Sequence, residues 1–114
     1  MYQRHIVGKA GEDQAVEYLK QNGYTILERN WFMRIGEIDI IARKGEVIYF
    51  FEVKTRSGYK YGHPYEAINK HRIHVLRRLG AVYVANKQMS YKALSVGAIG
   101  IVNGVISCVP NIDR

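Results

Sequence analysis

Gly36-Glu37-Ile38-Asp39-Ile40-Ile41, followed by Phe51-Glu52-Val53-Lys54, is the stretch on which the reading of the fold turns. Between the two runs lies Ala42-Arg43-Lys44-Gly45-Glu46, a polar segment with a glycine, so the runs read as the arms of one β-hairpin. Side chains alternate faces along a strand. Glu37 and Asp39 therefore share a face of the first arm, and Glu52 and Lys54 share a face of the second. With Lys44-Gly45 as a two-residue turn, Arg43 pairs with Glu46, Asp39 with Phe50 and Glu37 with Glu52. Three carboxylates then converge, with Lys54 as the one cation assigned to them.

Like charges placed opposite one another are destabilising, and charged groups are seldom buried unless paired or bound to a metal. Carboxylates and a lysine ending an apolar, central strand therefore suggest a site for a hard cation with a positioned base or charge stabiliser. A Glu-x-Lys tripeptide alone is weak evidence. Its weight comes from the acid-bearing partner strand and from Tyr49-Phe50-Phe51, which precedes it. A solvated surface hairpin is the alternative, and Ile-Asp-Ile-Ile and Tyr-Phe-Phe-Glu-Val are too apolar for one.

The 114 residues are expected to form a single domain, 1–114, with a core of its own. Hydrophobic residues make up 47% and charged residues 24%, as in ordinary globular chains. No apolar run approaches the about 20 residues of a membrane span, and no signal-peptide core is visible at the start, so no membrane partner is expected. Cys108 is the single cysteine, which rules out an internal disulfide or a cysteine zinc cluster and fits a reducing cytoplasm. The net charge of +7 favours an anionic partner, nucleic acid above others.

In chain order, Tyr2 to about Gln21 reads as a helix, with Val7, Gly11, Ala15 and Leu19 on one face and Asn22-Gly23 as its stop. Glu12 borders that face, and on spacing alone it is an exposed helix charge. Tyr24 to Trp31 is a strand rich in β-formers. Thr55 to His63 is a loop that interleaves Arg56 and Lys60 with Tyr59 and Tyr61, cations for phosphates and rings for stacking on bases. Pro64 is placed to open a second helix that runs to about Asn86. Ile68, Arg72, Val75, Leu76, Leu79, Val82 and Tyr83 form its core stripe. Lys70, His74, Arg77 and Arg78 fall together on another face, a single-sign stripe suited to phosphates. Histidines 5, 63, 71 and 74 lack metal-ligand spacing. Ala93 to Val109 supplies two more strands around Asn103-Gly104, a hairpin signal. The order is helix, three strands, helix, two strands, which gives an α/β fold with a mixed sheet of about five strands flanked by helices.

Glu12 on a first helix, Ile38-Asp39 on a strand, Glu52-Val53-Lys54 on the next and a helix after it resemble the PD-(D/E)xK restriction-endonuclease-like superfamily. Within it, the pattern is most similar to the YraN-like family of small bacterial proteins. Gly8, Gly11-Glu12, Ala15, Gly23-Tyr24, Asn30, Gly36 to Ile41, Phe51 to Lys54, Arg56, Gly62, Pro64 and Lys70 carry that likeness. Archaeal Holliday-junction resolvases look similar at Glu12, Asp39, Glu52 and Lys54. There are two departures: Ile38 stands where the superfamily usually has proline, and Ser95-Val96-Gly97 stands where the YraN-like pattern has Arg-Phe-Asp.

The resemblance implies a restriction-endonuclease-like core and a Mg²⁺- or Mn²⁺-dependent endonuclease that hydrolyses phosphodiester bonds in structured or branched DNA. Asp39, Glu52 and the Val53 carbonyl would hold the ion, supported by Glu12 and Glu37. Lys54 would orient or deprotonate water, or stabilise charge on the phosphate, so that Glu12, Asp39, Glu52 and Lys54 form the catalytic set. DNA is favoured over RNA, and likeness to resolvases suggests a homodimer. A nucleic-acid-binding module that keeps the nuclease fold without turnover is the alternative.

Overall fold

The computed structural model describes residues 2–60 and 62–112, with side chains from Lys9 onward. Tyr61 and the side chains of His5 and Val7 lie outside the described residues. Helix α1 (Tyr2–Gln21) leads into strands β1 (Thr25–Met33), β2 (Gly36–Lys44) and β3 (Val47–Arg56). A 3-10 turn (Pro64–Ala67) precedes helix α2 (Lys70–Asn86), and β4 (Ala93–Val102) and β5 (Val105–Val109) complete the chain.

The five strands form one sheet in the order β1-β2-β3-β4-β5. β1, β2 and β3 run antiparallel, β3 and β4 are parallel through all their residues, and β5 returns antiparallel on β4. A parallel pair needs a crossover, and α2 provides it. Ile73, Leu76, Leu79 and Tyr83 of α2 pack with Ile41, Ile48 and Phe50 on one face of the sheet. Ala15, Val16 and Leu19 of α1 pack with Ile40, Ala42 and Phe51 on the other. Both faces of the sheet are thus covered, which is why β2 and β3 are apolar almost throughout.

Small residues set the distance between helix and sheet. A Cβ on Gly11 would lie 2.5 Å from the Thr55 hydroxyl, and one on Gly80 would run into the Phe50 ring. α1 ends where the Asn-Gly stop predicts: Gly23 takes φ +87° and the Tyr24 N–H bonds to the Leu19 carbonyl at 2.9 Å. Asn103 and Gly104, both at positive φ, turn β4 into β5.

Two local expectations are corrected. The hairpin turns at Gly45-Glu46, with Lys44 opposite Val47, and not at Lys44-Gly45. This moves the register by two residues and changes the partners: Glu37 lies opposite Phe32 of β1, not opposite Glu52. The second helix does not run unbroken from Pro64. After the 3-10 turn the chain extends at Ile68 and Asn69, and the Asn69 side chain accepts the Arg72 N–H at 2.8 Å, starting α2 at Lys70. Among the described residues, no helix is long and apolar enough to cross a membrane.

Candidate active site

The ladder between β2 and β3 stops at Ile40 opposite Phe51. Ile41 and Ile38 pack into the α2-side cluster, whereas Ile40 and Ala42 pack into the α1-side cluster, so strict alternation slips at Asp39. There the side chain takes over a backbone role: Asp39 Oδ2 accepts the Val53 N–H at 2.8 Å. Asn30 sits across from Asp39 on β1, between the pairs Arg29–Ile40 and Trp31–Ile38. It takes φ +52°, a left-handed conformation that asparagine tolerates better than most residues. Its Nδ2 donates to Glu12 Oε1 at 2.8 Å, which ties α1 to this point of the sheet. Arg29 adds a contact to Glu12 at 3.7 Å and a shorter one to Asp13 at 2.6 Å.

Glu52 is the buried charged residue of the chain, 5% exposed among the described residues. Arg72 answers it with both prongs of its guanidinium: Nε donates to Oε2 and Nη2 to Oε1, each at 2.8 Å. Nη2 also donates to the Glu37 carbonyl at 2.8 Å. Lys54 is therefore not the sole cation beside the carboxylates. Sequence reasoning places Arg72 in a core stripe without giving it a partner. An arginine on the apolar side of a helix needs a buried acid, and that rule is the available signal.

Burial, above all, raises the Asp39 carboxyl to about 7; Glu52, Glu12 and Glu37 push the same way, and the Val53 N–H opposes them. The Arg72 guanidinium is held still more firmly protonated, first by its hydrogen bonds to Glu52. These mutual effects gather Glu12, Glu37, Asp39, Glu52 and Arg72 into one electrostatic unit.

Asp39, Glu52, Val53, Lys54, Ala67, Ile68, Asn69 and Arg72 line an open cleft of about 480 Å³. Lys54 is half-buried there and makes no ion pair among the described residues. No three Asp, Glu, His or Cys side chains among the described residues converge closely enough to hold a metal between them. The carboxylates among its lining residues are Asp39 and Glu52.

The basic residues fall in two other places. Arg56, expected in the loop, is instead the last residue of β3, paired with Val102, and Lys60 lies on the loop after it; both are exposed, and Tyr59, 52% exposed, stands edge-on to His63 at 5.0 Å. Lys70, His74, Arg77 and Arg78 are exposed on α2. With 3.6 residues per turn, that stripe lies about half a revolution around the helix from Arg72. It therefore faces away from the carboxylates, although Lys70 adjoins the cleft through Asn69. Arg77 lines a separate recess of about 340 Å³ with Phe50, Leu94, Ser95, Val96 and Asn111. Gly97 is tightly filled: a Cβ there would lie 2.6 Å from the Phe51 ring and 2.9 Å from the Pro110 carbonyl. A larger residue at that position would have to displace one of them.

Helices on both faces of a mixed sheet, with acids of neighbouring strands and a lysine opening into one cleft, define a restriction-endonuclease-like α/β protein. The profile of the family described as "Uncharacterised protein family UPF0102" matches residues 11–101. The chain belongs to that family, the YraN-like group related to the PD-(D/E)xK superfamily. It is 41% identical to a UPF0102 protein of Dictyoglomus turgidum over 96 residues, 84% of this chain and 81% of that protein. To one of Leifsonia xyli it is 45% identical over 103 residues, 90% and 87% of the two chains. To one of Persephonella marina it is 40% identical over 106 residues, 93% and 91%.

Proposed function

We propose that the protein is a divalent-metal-dependent endonuclease that hydrolyses phosphodiester bonds in structured or branched DNA. One observation carries the reading: Asp39, Glu52 and Lys54 share a single open cleft. The donor set fits a hard cation. Magnesium is commonly held through one or two carboxylates, with water filling most of its octahedron. Asp39 and Glu52, with the Val53 carbonyl, are oxygen donors of that kind, and burial first, then the neighbouring carboxylates, raise the Asp39 carboxyl in the absence of a counter-ion of its own among the described residues. Mg²⁺ or Mn²⁺, when bound, supplies Lewis-acid charge to the phosphate.

The remaining roles belong to the chain. Lys54, with no ion pair among the described residues, stabilises charge that develops on the phosphate or holds the attacking water. Glu12, fixed by Asn30, and Glu37, on the strand of Asp39, set the field around the cation. Arg56 at the end of β3, with Tyr59 and Lys60 on the loop after it, follows Lys54 along the chain and supplies contacts for phosphates and unstacked bases, and the sequence assigns Tyr61 to the same role. Lys70, His74, Arg77 and Arg78 hold backbone that continues around α2, beyond the phosphate being cut.

A specific observation favours a second reading, a nucleic-acid-binding module without turnover: the Arg72 fork already neutralises Glu52. A panel of labelled single strand, duplex, flap and four-way junction, incubated with Mg²⁺, Mn²⁺ or EDTA, separates the two. Metal-dependent cleavage of any member supports the nuclease. Binding without cleavage of every member, under every metal, establishes the second reading instead.

A further inference from the structure

Arg72 is built into the cleft more firmly than a casual ion pair. Its fork occupies both Glu52 oxygens at 2.8 Å, and the same Nη2 reaches the Glu37 carbonyl at 2.8 Å. Its own N–H is the one capped by Asn69, at the first turn of α2. The Glu52 side chain is 7% exposed, but that of Arg72 is 30% exposed, so the pair spans the distance from the interior to the cleft mouth.

We propose that Arg72 is an exchangeable counter-ion: it neutralises Glu52 in the metal-free protein, then yields that carboxylate to a divalent cation and turns its fork to a nucleic-acid phosphate. The inference rests on the reading of the cleft as a phosphodiester site. A carboxylate offers about four lone-pair positions, and the fork takes one on each oxygen. A dication at the same carboxylate lies within a few ångströms of the guanidinium, in a partly buried place where repulsion is weakly screened. Asp39 makes no ion pair within hydrogen-bond distance among the described residues, and its Oδ2 accepts a backbone N–H.

A displaced guanidinium cannot stay buried without an anion. The geometry that matches it to a carboxylate also matches it to a phosphate, and its partly exposed end is already at the cleft mouth. Cation and phosphate therefore pull the same exchange in one direction, each taking one member of the pair. Their binding is positively coupled, and the coupling is reciprocal by linkage.

The test compares wild type with Arg72→Gln and Arg72→Lys. Gln keeps a single donor toward Glu52, and Lys keeps the charge without the fork, so a loss of fold in one variant leaves the other to decide. Free Mn²⁺ is followed by electron paramagnetic resonance in protein titrations without nucleic acid. Binding of a fluorescein-labelled four-way DNA junction is then measured with and without Ca²⁺. Arg72→Gln is expected to bind Mn²⁺ at least tenfold more tightly than wild type, with Arg72→Lys between them. Ca²⁺ should tighten junction binding by wild type at least fivefold and by Arg72→Gln less than twofold. Equal Mn²⁺ affinity in all three proteins would overturn the exchange and leave the metal site standing. Mn²⁺ binding by none of them would overturn both.

Discussion

Replacing Asp39 by asparagine tests the candidate site without any substrate. Asparagine keeps an oxygen for the Val53 N–H, which Asp39 accepts at 2.8 Å, and exchanges the other carboxylate oxygen for a neutral amide nitrogen of nearly the same size. In the metal-free fold that charge is unfavourable, because burial and three neighbouring carboxylates raise the carboxyl from 3.8 to about 7. Such a displacement sets a ceiling of about 4 kcal/mol on the cost of ionising Asp39 in the native state. Water entry and side-chain relaxation leave roughly 1–3 kcal/mol to be recovered. The sign follows from the direction: the folded value is the higher one, so this group's contribution is complete below about pH 3.8 and is lost as pH rises through about 7. The substituted amide does not titrate. The two proteins should therefore be nearly equal in stability near pH 4, with the mutant ahead by about 1–3 kcal/mol at pH 8. Urea unfolding in EDTA at both pH values, read by Trp31 fluorescence, measures this. Trp31 is half-buried, 5.3 Å from the Tyr83 ring, and is the only tryptophan. Millimolar Mg²⁺ should then stabilise wild type by mass action and the mutant hardly at all. A mutant less stable than wild type at pH 8, or a difference independent of pH, would refute the account of Asp39 as a crowded anion.

Three further outcomes follow from other parts of the molecule. Lys54→Ala removes a charge stabiliser but no ligand, so metal-dependent junction binding should persist while cleavage falls a hundredfold or more, about 3 kcal/mol; parallel losses in both assays would make Lys54 a binding residue. Lys70→Ala with Arg78→Ala should flatten the slope of log K against log salt by up to about 1.8 on B-form DNA, measured by fluorescence anisotropy, and an unchanged slope would leave the α2 stripe merely solvated. Gly80→Ala drives a methyl into the Phe50 ring and should cost about 1–2 kcal/mol in urea unfolding despite the better helix propensity of alanine; a stabilised variant would show that α2 can move off the sheet.

The sheet is legible in the sequence because its strands carry two independent signals, apolar faces and turn chemistry, and either suffices to locate a strand. Asp39, Glu52 and Lys54 stand out because acids in an apolar strand conflict with burial. The hairpin register is less accessible: Lys44-Gly45 and Gly45-Glu46 are both acceptable turns, and the two choices preserve the same faces, so hydrophobic alternation cannot distinguish them. Asn69 escapes notice because Pro64 offers an earlier helix start, and the cap acts through a side-chain geometry that composition does not display. Glu12 is the opposite case. Its spacing reads as solvent-facing, and its partners Asn30 and Arg29 come from a distant strand, Asn30 through a left-handed backbone conformation.

The ties that organise the cleft span long stretches of chain: 18 residues from Glu12 to Asn30, 14 from Asp39 to Val53 and 20 from Glu52 to Arg72. None forms inside a single helix or hairpin turn, and the strand bearing Glu52 finishes its pairing only when β4 arrives through the crossover. Closing loops of this kind is slow compared with winding a helix. During refolding, far-ultraviolet ellipticity should therefore recover ahead of Mn²⁺ affinity. The ion becomes a clock for the meeting of β2 and β3: a chain that has regained its helices but not its cation has not yet closed Asp39 onto Val53.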